Sequence, residues 1–93
     1  MGLGYGSSIS SNSDLNTYLN PGNYYAGYDS TASGILNTPT KISFNLYVLW
    51  IKGSRSVSDS SKIGQLIIDG DFKIFKRTYS YQTSNWNNWI EIA

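Results

Sequence analysis

A mainly β fold, α+β at the margin, is what the sequence predicts: a small antiparallel sheet of four to five strands with one or two short helical turns. Three observations carry this. Ser, Thr and Asn supply 30 of the 93 residues, beside eight Tyr, three Trp and three Phe, and such hydroxyl-rich, aromatic composition suits pleated surfaces better than helices. Residues 42–51 and 72–81 alternate in polarity with period two, the signature of half-buried strands. Turn chemistry punctuates the chain at Asn20-Pro21-Gly22 and Asp69-Gly70-Asp71.

In chain order, residues 1–13 are Gly- and Ser-rich around Leu3 and Tyr5. They read as a connector or equally as a disordered terminus, with residues 14–93 as the folded domain. Asp14 is placed to cap one helical turn over 15–19. Gly22 to Tyr28 reads as a strand, with Tyr24, Ala26 and Tyr28 on one face and Tyr25 on the other. Asp29 to Gly34 fits a loop or one turn of helix capped by Asp29 or Ser30. The strongest strand is Ile42 to Ile51. Ile42, Phe44, Leu46, Val48 and Trp50 share a face, and Leu49 and Ile51 make the second half apolar on both sides. That predicts a central strand covered on both faces. Residues 53–61 form a polar loop with Arg55 and Asp59. Ile63 to Asp69 is the next strand, and Asp69-Gly70-Asp71 turns it into the last hairpin, 72–92.

A chain of 93 residues allows one domain with one modest core. Charged residues are 14% and the net charge is +1, with the cations dispersed. That points away from nucleic acid, which needs a concentrated basic face. The absence of Cys removes disulfides and thiolate chemistry. No apolar run is long enough to cross a membrane as a helix, so no membrane insertion is expected. The start of the chain lacks a signal-peptide pattern.

There is no His, so with Cys also missing the common nucleophile–base pairs are absent. A zinc site built from carboxylates alone is unusual. Six carboxylates remain, and capping or turn roles explain Asp14, Asp29 and Asp69 without a cleft pairing. Asp69 and Asp71 flanking Gly70 offer a possible Ca²⁺ ligand pair, and a plain hairpin turn is the simpler reading. No catalytic residue, metal or cofactor is called for. Binding is better supported. Tyr81, Asn85, Trp86, Asn87 and Asn88 lie close together, and Tyr, Trp and Asn stack on sugar rings or dominate protein interfaces. Arg55 is a candidate neighbour in the loop after Trp50. Trp89 is expected to pack into the core beside Trp50. Arg77 between Phe75 and Tyr79 is either a ligand-facing donor or stacked against the rings.

An ordered set of short pieces carries a resemblance. Asp14-Leu15-Asn16-Thr17 is followed by Pro21-Gly22-Asn23-Tyr24-Tyr25, Asn37-Thr38-Pro39, Phe44-Asn45-Leu46-Tyr47-Val48, Phe75-Lys76-Arg77-Thr78-Tyr79 and Trp86-Asn87-Asn88-Trp89. The chain resembles the C-terminal knob domain of phage tail fibres and R-type pyocin fibres. The resemblance implies a non-enzymatic tip domain, homotrimeric through an upstream fibre shaft, that touches a bacterial surface glycan or protein receptor. It implies a virion or prophage-encoded particle acting outside the cell, and it implies that Arg77, Tyr79 and Trp89, with Trp50, form the structural spine of the fold. The alternatives are a carbohydrate-binding accessory module of a cell-wall enzyme and a purely structural trimerisation domain.

Overall fold

The computed structural model describes residues 6–52, 61–80 and 83–93. Its framework is one twisted sheet. The strands are β1 (Ser7–Ser8), β2 (Gly22–Ala26), β3 (Phe44–Lys52), β4 (Ser61–Asp69), β5 (Ile74–Ser80), β6 (Asn85–Trp86) and β7 (Ile90–Glu91). Their order is β1-β2-β3-β4-β5-β6, with β7 also on β5, and only β1–β2 is parallel. The mainly β expectation holds. Seven strands among the described residues exceed the expected four to five for two reasons. The return segment is split in two, and Ser7–Ser8 adds an edge strand.

β3 and β4 are central and pair over nine residues each, from Phe44↔Asp69 to Lys52↔Ser61. Strand alternation sends Phe44, Leu46 and Val48 of β3, Ile63 and Ile67 of β4, and Phe75 of β5 to one face, where all are buried. The layer covering that face is irregular. Residues 9–19 and 29–40 lay Ile9, Leu15, Ala32 and Ile35 onto it. Ile9 is 2% exposed and its N–H donates to the Tyr25 carbonyl. Part of the segment expected as a connector therefore packs into the core.

The helical turns are brief. A 3-10 turn, Leu15–Thr17, starts at Asp14, whose carboxylate accepts from the Asn16 N–H at 2.9 Å as expected of a cap. The helix α1 spans Asp29–Ala32 and starts at Tyr28, without a side-chain cap. Asp29, one of the two expected caps, instead accepts from the Ser43 N–H at 2.8 Å, tying α1 to the start of β3. β2 stops at Ala26, two residues short of the sequence reading, because the chain must turn into α1.

The other sheet face is partly open among the described residues. Tyr47 is buried there, but Leu49 is 49% exposed. The expected cover over both faces of β3 is thus incomplete among those residues. Trp50, expected in the spine on the core face, pairs with Ile63 and is 51% exposed. The core reaches Ile63 but does not cover the indole, whose N–H donates to the Leu19 carbonyl at 3.0 Å.

Candidate functional site

The site begins with one buried cation. Arg77 lies on the core face of β5, in register with Gln65 of β4 and, beyond it, Val48 of β3. It is 6% exposed. A buried guanidinium needs its donors satisfied, and the neighbours supply most of them. Nε donates to Gln65 Oε1 at 2.8 Å, and one terminal nitrogen donates to Asn16 Oδ1 at 2.9 Å. Gln65 is itself locked, because its amide donates to the carbonyls of Leu15 and Tyr18 at 2.8 and 3.0 Å. The other terminal nitrogen has no hydrogen-bond partner among the described residues. Burial pushes the Arg77 pKa down to about 10, with Asp14 opposing the shift, so the cation persists at neutral pH.

Two indoles close over the guanidinium. Its central carbon lies 4.2 Å from the ring centroid of Trp86 and 4.5 Å from that of Trp89. Residues three apart in a regular strand face opposite ways. A bulge removes the conflict. Trp86 pairs with Tyr79 and Ile90 pairs with Lys76, so three residues on the return segment oppose two on β5. The extra residue turns both indoles to the same side. Asn87 fixes the bulge, its N–H donating to the Thr78 carbonyl and its side-chain amide to the Thr78 hydroxyl, at 2.8 and 2.9 Å. Each indole N–H is also used. Trp86 donates to the Asn16 carbonyl at 3.1 Å and Trp89 to the Asn37 carbonyl at 2.9 Å.

Three separate segments therefore meet on Arg77: the Leu15–Thr17 turn, residues 37–38, and residues 84–89. Between them lies a cleft of about 630 Å³. Its rim carries Asn16, Asn37, Thr38, Ser84, Asn85, Asn87 and Asn88, and Tyr79, Trp86 and Trp89 supply ring surface. Among the described residues, no carboxylate belongs to this lining. Asp14 stands behind it. Its carboxylate accepts from the Asn37 side-chain amide at 2.7 Å. That bond, the Asn16 N–H and the attraction of Arg77 hold its pKa below the ordinary 3.8.

Of the sequence-predicted binding residues, Asn85, Trp86, Asn87 and Asn88 come together at this cleft. Tyr81 and Arg55 lie outside the described residues, as does the 53–60 loop. Of the expected spine, Arg77, Tyr79 and Trp89 line the cleft, Arg77 as its floor, while Trp50 does not. Arg77 takes the stacked alternative. Sequence reasoning missed Asn16, Asn37, Thr38 and Gln65 as members of the site. The first three sit in the ordered pieces that carried the resemblance, whereas Gln65 gave no signal. At the Asp69 turn, one carboxylate oxygen accepts from the N–H groups of Asp71 and Lys73 at 2.9 and 3.0 Å. The other accepts from the Thr40 hydroxyl at 3.1 Å. That carboxylate is taken up by the turn itself.

Comparison with known proteins yields a fold. No family model matches the sequence, and no curated protein matches it. Among solved structures, the C-terminal part of the Pseudomonas aeruginosa R1 pyocin fibre (residues 323–701) superposes with a TM-score of 0.74 at 22% identity. That match covers 97% of this chain and 22% of the other. An N-truncated R2-type pyocin tail fibre gives 0.75 at 16% identity, covering 97% of this chain and 33% of the other. The P. aeruginosa R2 pyocin fibre (residues 323–691) gives 0.74 at 16% identity, covering 97% and 22%. This chain thus has a fold found in R-type pyocin tail fibres and spans a fifth to a third of those structures.

Proposed function

We propose, from the fold shared with pyocin tail fibres, that this chain is a non-enzymatic receptor-binding domain of a phage or prophage tail fibre. In this reading it acts outside the producing cell, stands at the fibre tip as a homotrimer through an upstream shaft, and attaches to a bacterial surface glycan. The observation that carries the binding role is the cleft over Arg77. Ring faces and neutral amides, with no carboxylate among the described lining residues, match the apolar ring faces and hydroxyls of a sugar. A protein receptor would use the same amides through its backbone.

The test is a titration of the fluorescent-labelled chain with polysaccharide released from candidate host cells, compared with Asn85→Ala/Asn88→Ala. Both side chains are exposed, so the double variant should keep its melting temperature while binding at least tenfold more weakly. Equal binding by the variant sinks the cleft reading. Monomeric binding to cell-wall polymers favours the accessory-module alternative.

One observation favours a second, structural reading. Leu49 and Ile90 stand half-exposed on the open sheet face, where a sister chain could cover them. If Leu49→Glu/Ile90→Glu dissociates a trimer and glycan binding is absent from the parent chain, assembly is the whole role.

A further inference from the structure

Phe72 sits in the turn between β4 and β5, at the opposite end of the sheet from Trp50. The turn holds its shape without the Phe72 side chain. Phe72 N–H donates to the Asp69 carbonyl at 2.9 Å and Asp69 N–H to the Lys73 carbonyl at 3.0 Å, while the Asp69 carboxylate ties down Asp71 and Lys73. Yet Phe72 has φ 59°, a left-handed conformation that Gly and Asn adopt easily and a bulky residue does not. Its ring is 81% exposed, so no packing offsets that strain. A strained residue whose side chain contributes nothing to the core is a candidate contact residue.

Beside the ring lies a groove of about 300 Å³. Tyr25 also lines it, and Gly27 and Gly70 add no side chains to it. A Cβ on Gly70 would stand 3.2 Å from the Ser43 hydroxyl, tighter than an ordinary contact. Ser43 and Asn45 supply a hydroxyl and an amide to the groove. We infer that this groove is a second saccharide site, in which a neutral sugar ring stacks on Phe72 and bonds its hydroxyls to Ser43 and Asn45. A sugar has the matching chemistry, with C–H groups on one face and hydroxyls around the edge. A second copy of the chain fits less well. Asp71 and Lys73 flank the ring and are exposed, and interface cores are depleted of such charges. The inference does not depend on the Arg77 cleft.

The experiment is a ¹⁵N NMR titration with neutral tetrasaccharides of glucose, N-acetylglucosamine and rhamnose, using the parent chain, Phe72→Gly and Asn85→Ala/Asn88→Ala. In the parent chain at least one sugar should shift the Gly27, Ser43 and Gly70 amides, and the cleft variant should retain those shifts. Phe72→Gly should lose them by at least tenfold in affinity. It should also melt at the same temperature or a few degrees higher, because glycine accepts the left-handed backbone. Four results overturn the inference: no shift at those amides with any of the three sugars, unchanged binding by Phe72→Gly, a lowered melting temperature, or a change in its sedimenting mass. The last makes Phe72 an assembly contact. Failure of the cleft reading is read separately, at the Asn85 and Asn88 side-chain amides.

Discussion

Arg77 is held by hydrogen bonds at its edge and by rings on its faces, and the two supports respond differently to mutation. Replacing Gln65 with Leu keeps the volume but strips the acceptor from Nε and the donors from two carbonyls. Each buried group left unpaired costs roughly 1–3 kcal/mol, so urea unfolding should show a loss of about 3 kcal/mol. Asp14 adds a pH dependence. Its folded pKa lies below the ordinary value, so its stabilisation is present above the unfolded pKa and is lost as pH falls through the folded one. Asp14→Asn keeps a capping side chain and removes the titration. The drop in urea midpoint from pH 7 to pH 3 should therefore be smaller in the variant than in the parent chain. At this scale the sequence was half legible. Alternation put Phe75, Arg77 and Tyr79 on one face correctly. It said nothing of Gln65, because a polar residue between apolar ones reads as solvent-facing until its partners are known.

The bulge at 87–89 does for the return segment what no single side chain does. Because the bulge brings Trp89 over Arg77, Trp89→Ala should remove one stacking contact from Arg77, worth about 0.5–2 kcal/mol, and leave the Asn37 carbonyl without its indole donor. Near-UV circular dichroism should lose intensity and the melting temperature should fall by more than that contact alone explains. A second element test concerns β1. A Cβ on Gly6 would stand 2.2 Å from the Asn23 carbonyl oxygen, a backbone atom that cannot swing aside. Gly6→Ala should detach β1, seen as faster hydrogen exchange at the Ile9 amide. Strands β2 to β5 were legible from period and turn residues. The bulge was not, because a period-two pattern carries no mark of one extra residue. β1 was not either, because two serines among glycines have no strand signature.

For the molecule as a whole, the core has one sheet face and one irregular layer, and the layer includes Ile9. Ile9→Ala should destabilise by about 2–4 kcal/mol, the usual range for emptying a buried aliphatic site, as measured by urea unfolding. The general class was readable because composition and alternation agree across most of the chain. The covering layer was harder. Its residues 9–19 and 29–40 bury side chains without a period, and only the tertiary arrangement decides which of them point inward. The parallel pairing of β1 with β2 has a mechanical meaning as well. Ser7–Ser8 runs alongside Tyr24–Tyr25 in the same direction, and Ile9 anchors its far end in the core. Tension drawn backward from Gly6 therefore acts along the strand. It loads the β1–β2 hydrogen bonds and the Ile9 anchor together in shear, rather than peeling them open one at a time. A hold placed at the far, Phe72 end of the sheet would turn the same geometry into a tether that yields late under pull.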